Sequence, residues 1–249
     1  MAIVIKTAKE VEKMRRAGEI VREVLEAVRA MVKPGVTTLE LESVAEKLIE
    51  ERGAKPAFKG YHGFPCVLCT SLNDQVVHGI PSAKTVLREG DILSVDCGAV
   101  IDGYYGDSAI TIPVGKVAPT TQRLLDVTQK SLARAIETVR PGAMLGDVGA
   151  AVQEMVEAEG FSVVKEFVGH GIGTRMHEDP QIPNFGQRGR GVRLREGMVL
   201  AIEPMVNAGG DAVRVLKDGW TAVTEDGSLS AHFEHTVAVT KDGAAILTL

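Results

Sequence analysis

The sequence predicts an α+β fold built of two similar halves, each with two helices covering a sheet. Two observations carry that reading: segments that recur at one fixed offset, and helical and strand periodicities that follow the same order within each recurrence. Lys33-Pro34-Gly35 falls on Arg140-Pro141-Gly142, an offset of 107 residues. Gly53 falls on Gly160 at that offset, and residues 87–96, ending in Asp96, fall on 194–203, ending in Glu203. Pro-Gly and Glu-Gly pairs recur by chance in a chain with 27 Gly and 10 Pro, but three blocks in one ungapped register indicate an internal repeat. The expected organisation is a single domain, 1–249, with repeat halves of about 10–115 and 120–249.

Helix-like sequence starts by about Lys9 and breaks at Pro34-Gly35. Residues 40–52 place Val44, Leu48 and Ile49 at helical spacing and close on Gly53; 147–159 place Ala151, Met155 and Val156 likewise and close on Gly160. Residues 65–70 read as an apolar strand. Residues 92–114 read as a hairpin about Asp102-Gly103, a pair suited to a two-residue turn with positive φ. Pairing Ile101 with Tyr104 sets Asp96 opposite Ala109 and Asp107 opposite Gly98. Asp96 and Asp107 then become diagonal neighbours on one face, about 7–8 Å apart along the backbone, unless a β-bulge breaks the register. Residues 198–204 predict a strand ending at Glu203, and 233–240 one beginning near Glu234, with Asp242-Gly243 offering another turn.

Composition excludes several function classes. The net charge is −5, and Arg188, Arg190, Arg193 and Arg195 are interleaved with Gly and apolar residues, so no run of cations offers an extended nucleic-acid footprint. No apolar stretch approaches the roughly 20 residues that span a bilayer, and residues 1–6 are too short for a signal-peptide core. The expectation is a cytoplasmic protein that binds neither DNA nor membrane. Cys66, Cys69 and Cys97 are too few for a disulfide framework, and the C-x-x-C of Cys66 and Cys69 lacks a second pair to complete a zinc site.

The chemistry lies in the carboxylates. Asp96, Asp107, Glu203 and Glu234 each interrupt or flank an apolar strand, and they converge if the halves face one another. Any one of 33 acids taken singly reads as a solvated surface group; the apolar flanks of these four reverse that order. Like charges so placed repel unless a cation neutralises them, and a shared divalent metal is the economical solution. Ion pairs between the halves are the alternative, although no Lys or Arg lies within several residues of Asp96, Glu203 or Glu234. His170, flanked by glycines in Gly169-His170-Gly171-Ile172-Gly173, reads equally as a loop histidine or a ligand. His78 and His177 are candidate general acids or oxyanion stabilisers, whereas His62, His232 and His235 read first as solvated or core groups.

Taken together, Asp96, Asp107 after its turn, Gly169-His170-Gly171-Ile172-Gly173, Ile202-Glu203-Pro204-Met205 and Phe233-Glu234-His235 resemble methionine aminopeptidase, type I, of the short bacterial kind. Tyr61-His62-Gly63-Phe64-Pro65, His78-Gly79-Ile80-Pro81 and Asp218-Gly219-Trp220 fit the same family in order and spacing, and the likeness runs from Ile5 to about Ile246. It implies the pita-bread (creatinase/aminopeptidase) fold, whose two pseudo-twofold halves cover a curved antiparallel sheet with helices. It implies two divalent ions, among Co, Mn, Fe(II) or Zn, with Asp107 and Glu234 bridging, Asp96 chelating one and His170 and Glu203 completing the other. The implied reaction is removal of N-terminal methionine before a small second residue, by attack of metal-bound hydroxide on the first peptide bond. Glu203 would shuttle the proton, His78 would transfer a proton or place substrate, and His177 would bind the scissile carbonyl.

By the same resemblance Tyr61, Phe64, Cys69 and Trp220 form the methionine pocket, with Phe58 and Met176 where some relatives carry Cys and Phe. Core packing is the plainer reading of Tyr61 and Phe64 alone. No Cys/His-rich extension precedes residue 10 and no long insertion separates His177 from Glu203, which favours the short form. Nascent chains and methionyl peptides, a transient ribosome encounter and a monomeric state follow as family expectations, and Met1-Ala2 is itself a suitable substrate end. The competing readings are an aminopeptidase P or prolidase relative, and a metal-free pita-bread scaffold.

Overall fold

The computed structural model describes residues 3–249, so Met1-Ala2 lies outside the described residues. Helix α1 (Ala8–Met31) opens on a capping box: Thr7 accepts the Glu10 N–H while the Glu10 carboxylate accepts the Thr7 N–H. Helix α2 (Thr38–Glu51) repeats the device with Thr37 and Glu40. The first half continues through β1 (Lys55–Pro56), a 3₁₀ turn (Tyr61–Gly63), β2 (Leu68–Leu72), β3 (Gln75–Val77), β4 (Ile92–Ile101) and β5 (Tyr104–Pro113). The second half holds α3 (Pro119–Glu137), α4 (Leu145–Ala158), β6 (Ser162–Val163), β7 (Gly169–Gly171), β8 (Glu178–Ile182) and β9 (Val199–Ile202). It ends with β10 (Met205–Asn207), β11 (Val213–Val215), β12 (Ala222–Thr224), β13 (Ser230–His232), β14 (His235–Thr240) and β15 (Gly243–Ile246).

The internal offset is visible in the backbone. The isolated bridge Thr37–Val86 has its counterpart, 107 residues on, in Met144–Arg193. The bond from Gly35 N–H to the Leu87 carbonyl is repeated from Gly142 to Leu194. Glycines 53 and 160 take φ of 70° and 76°, closing α2 and α4 as their positions predict. Each half packs its own apolar core under its helices, Val21, Leu41 and Val95 in one, Leu124, Val152 and Leu200 in the other.

Among the described residues every strand pairing is antiparallel, and the strands form four hydrogen-bonded sheets. Strand β4 sits between β1 and β2 and also pairs β5; β9 sits between β14 and β7. The β4–β5 ladder runs unbroken from Ile101–Tyr104 to Ile92–Pro113, with Asp96 opposite Ala109 and Gly98 opposite Asp107 and no bulge. Asp102 and Gly103 take φ of 51° and 80° in the turn. Two of the boundaries that differ from expectation have a visible cause. The second turn is formed by Lys241 and Asp242, because Gly243 already pairs Thr240. Strand β2 begins at Leu68, leaving Cys66 outside it, because the buried Glu42 carboxylate of α2 takes the N–H groups of Val67 and Leu68 at 2.6 and 2.9 Å. All three cysteines are free thiols.

The halves are joined where β5 meets β14. Thr236 Oγ1 donates to the Asp107 carbonyl at 2.8 Å and accepts the Asp107 N–H, Ser108 donates to the Glu234 carbonyl, and the Glu234 N–H donates to the Ala109 carbonyl at 2.9 Å. Helix α1 lies across this seam. A Cβ on Gly106 would come within 2.7 Å of the Gly18 backbone, and one on Gly18 would collide with the Leu247 carbonyl. Gly18→Ala is therefore expected to cost about 1–3 kcal/mol of stability, read as a lower urea midpoint at unchanged slope.

Candidate active site

The four carboxylates are brought to the seam by both repeats. Asp96 and Asp107 come from the β4–β5 hairpin; Glu203 directly follows β9 and Glu234 directly precedes β14. His170 is delivered by β7, where the register with β8 shifts between His170 and Gly171. A shift of this kind re-aims a side chain relative to regular pleating. Asp107, His170 and Glu234 are buried, and each offers a ligand atom within 4.8 Å of the others. The His170 Nε2 lies 3.7 Å from Asp107 Oδ2 and 3.7 Å from Glu203 Oε1.

The electrostatics of this cluster are unbalanced. Asp96 Oδ1, Asp107 Oδ1 and Glu234 Oε1 are buried and accept no hydrogen bond. Burial first, and then the neighbouring carboxylates, push Asp96 and Glu234 well above the usual carboxylate range. Burial likewise raises Asp107, with His170 opposing it. Burial pulls His170 down, but Asp107 and Glu203 outweigh it and hold the imidazole above its ordinary value. Its Nδ1 lies 2.9 Å from the Gly171 carbonyl, which can only accept, so Nδ1 carries a proton and Nε2 faces the acids. This is the form of a ligating histidine, whose other nitrogen donates to a carbonyl. Orphaned acceptors, raised carboxyls and an imidazole pulled toward protonation report one deficit, of positive charge. A hard divalent cation fits the donor set.

Every candidate residue named from the sequence lines one cavity of about 250 Å³, with His62 beside them. One end holds the acids and His170; the other is the apolar cluster of Phe58, Phe64, Cys69 and Met176, edged by Tyr61 and Trp220. Phe64 and Trp220 meet edge to face with centroids 5.2 Å apart. His78 takes φ of 61°, a left-handed backbone costing of order 1–3 kcal/mol, and stands edge-on to Trp220 and Phe167. Burial lowers its pKa. His177 lies 2.8 Å from the Tyr61 hydroxyl through Nδ1, with its ring centroid 4.3 Å from that of His170. Desolvation and then His170 push it down to about 4, so it is neutral at pH 7. The Cys69 thiol is raised well above its ordinary value, by burial and then Asp96, which makes it an unreactive part of the wall.

His232, read from the sequence first as a solvated or core group, is buried with one ring nitrogen unpaired. Its Nε2 is buried, accepts or donates no hydrogen bond and lies 3.6 Å from Glu203 Oε2. Its two-residue spacing from Glu234 is a weak signal, because β13 ends at His232 and β14 begins at His235 in a different sheet. Asn184, whose side chain donates to the Glu203 carbonyl at 2.9 Å, left no such trace. His235 points away from the cluster and pairs with Thr248 Oγ1 at 2.8 Å.

Residues 12–241 match metallopeptidase family M24. The methionine aminopeptidase of Clostridium acetobutylicum is 51% identical over 247 residues, 99% of either chain. The crystal structure of methionine aminopeptidase from Thermotoga maritima superposes with a TM-score of 0.98 at 51% identity, covering 99% of each chain. Prolidase from Pyrococcus furiosus has a TM-score of 0.77 at 25% identity, covering 99% of this chain and 65% of that one. The chain belongs to metallopeptidase family M24 and, within it, to the methionine aminopeptidases.

Proposed function

We infer that the chain removes the initiator methionine from proteins whose second residue is small, and that Asp96, Asp107, His170, Glu203 and Glu234 hold two divalent ions. The observation that carries this reading is a set of buried carboxylates, three of them each with an unpartnered oxygen, gathered beside the His170 imidazole at the polar end of an apolar, aromatic-edged cavity. When bound, the ions act as Lewis acids toward water and the scissile carbonyl. The rest falls to the chain's own groups. Phe58, Tyr61, Phe64, Cys69, Met176 and Trp220 receive the methionine side chain, whose sulfur packs favourably against rings. Glu203, with a side chain 14% exposed, is reachable by water and by the leaving amine, and moves the proton between them. Tyr61 O–H donating to Nδ1 of the neutral His177 leaves the ring proton on Nε2, free to donate to the carbonyl oxygen as charge grows there. His78, held by its strained backbone at the cavity wall, places substrate and passes protons.

In this reading both repeats act as a single catalytic domain, because each supplies ligands to one site. Mn, Fe(II), Co and Zn are the candidate ions, and the setting is a monomer meeting nascent chains at the ribosome in the cytoplasm. The test is release of methionine from Met-Ala-Ser by chelator-stripped protein with Mn, Fe(II), Co or Zn restored, beside Pro-Ala-Ser and Leu-Ala-Ser. Metal-dependent cleavage confined to the methionyl peptide is expected. Cleavage of a Pro-containing substrate instead would favour the prolidase-like reading, and no cleavage by folded, metal-loaded protein would favour the scaffold.

Two substitutions separate the roles. Asp107→Asn is expected to abolish turnover and lower bound metal, measured by steady-state kinetics and elemental analysis; wild-type kinetics and metal content would remove the two-ion reading. His177→Ala is expected to lower kcat by about 10²-fold or more at unchanged metal content. Equal loss of both would make His177 a ligand.

A further inference from the structure

The wall of the methionine pocket contains a turn, residues 173–177, that belongs to no helix or strand and yet carries Met176 and His177. Its conformation is held from behind by Glu178, a buried acid that the reaction does not use. Glu178 Oε1 accepts the backbone N–H groups of Thr174 and Arg175 at 3.0 and 3.2 Å, and Oε2 accepts Lys6 Nζ at 2.7 Å. The Lys6 and Glu178 side chains are 3% and 1% exposed, unlike surface pairs such as Lys165–Asp211, where both are about half exposed. Lys6 is itself placed by the bond from its N–H to the Gly197 carbonyl, and its Nζ also donates to the Val4 carbonyl at 3.2 Å. The stem passes so close to Gly173 that a Cβ there would lie 2.5 Å from Lys6 Cε.

A buried ion pair is a poor source of net stability, since desolvation offsets the attraction, but it fixes geometry and penalises loss of either partner. Here the geometry being fixed is that of the turn. Tyr105 N–H, donating to the Gly173 carbonyl at 2.9 Å, holds the turn's start, and Tyr61 holds His177. Between them the Glu178 carboxylate collects the Thr174 and Arg175 amides, and Lys6 Nζ at 2.7 Å holds it in place.

We propose that Lys6 and Glu178 are specificity-determining positioning residues: their buried ion pair clamps the 173–177 turn so that Met176 closes the pocket around an unbranched side chain and His177 stays in reach of the scissile bond. This rests on the function inferred above, and it makes the segment preceding α1 part of the pocket's support. Lys6→Met keeps the length and apolar stem but leaves Glu178 as an unpaired buried charge. Glu178→Gln keeps an oxygen for the two amides but leaves Lys6 unpaired. The double variant Lys6→Met/Glu178→Gln buries no charge and retains the amide acceptor.

The experiment measures kcat and KM for Met-Ala-Ser and Leu-Ala-Ser on the full chain loaded with the metal that supports activity, together with metal content and hydrogen exchange at the Thr174 and Arg175 amides. In Lys6→Met, the preference for methionine over leucine is expected to fall about tenfold, with metal content unchanged and both amides exchanging faster. Glu178→Gln should shift in the same direction, and the double variant should recover most of the preference, the coupling expected of residues acting as one unit. A lower melting temperature with unchanged preference and unchanged amide exchange in either single variant would overturn the clamp, as would failure of the folded double variant to recover. If the unaltered chain does not cleave Met-Ala-Ser at all, the proposed function falls and the clamp with it; cleavage by the unaltered chain separates the two.

Discussion

The constraint on which the structure turns is a concentration of negative charge inside a core. Asp107 and Glu234 are buried, an oxygen of each and of Asp96 lacks any hydrogen bond, and Glu203 stands beside them. In an apolar interior such a cluster is strongly unfavourable unless a cation or protons balance it. Among the described residues, the ion pairs of these acids do not run to Lys or Arg. The ion-pair contacts recorded for Asp107 and Glu203 among the described residues run to His170 and His232. The surroundings instead fix the acids rigidly. The backbone of Asp107 is tied on both its N–H and its carbonyl to Thr236, and Ser108 ties the Glu234 carbonyl across the same seam. A rigid, charge-deficient cradle has most to gain from a small, highly charged ion, because no backbone must move to receive it.

Much of this was legible in the sequence because it depends on local rules. The Asp102-Gly103 turn sets the β4–β5 register, and the register alone places Asp96 and Asp107 on one face. The 107-residue offset carries Asp96 onto Glu203 and predicts that the halves share an architecture, which the paired bridges Thr37–Val86 and Met144–Arg193 repeat. The ends of α2 and α4 followed from Gly53 and Gly160, which take positive φ. Assigning individual roles leaned on family resemblance, since spacing left His170 evenly poised between loop residue and ligand.

What escaped sequence reasoning is long-range and pairwise. The Tyr61–His177 bond joins residues 116 apart, and the Lys6–Glu178 pair residues 172 apart. Nothing local distinguishes Lys6 from the other cations, most of them solvated, or Glu178 from the acids around it until the N-terminal segment is seen to cross behind the pocket. Strand β2 starts later than its apolar run predicts for a related reason: a carboxylate from α2, 25 residues away, takes the N–H of Val67. The place of His232 beside Glu203, 29 residues away in sequence, is likewise pairwise and long-range.

The two histidines at the polar end show how one residue type acquires opposite properties within 4.3 Å. His170 sits against Asp107 and Glu203, so its neighbours favour positive charge despite burial, and its Nδ1 is committed to the Gly171 carbonyl. His177 stands next to His170 with a phenol on its Nδ1; desolvation and the neighbouring imidazole favour the neutral ring. The first is suited to give an Nε2 lone pair to a cation, the second to give an Nε2 proton to an oxygen. Exchanging their surroundings would exchange those capacities, which is why the backbone shift at His170 and the clamp behind His177 matter as much as the imidazoles. The difference between the two rings is therefore set first by burial and by the charges each one faces, while the contacts of each Nδ1, to a carbonyl in one case and a hydroxyl in the other, leave Nε2 facing the cavity's polar end.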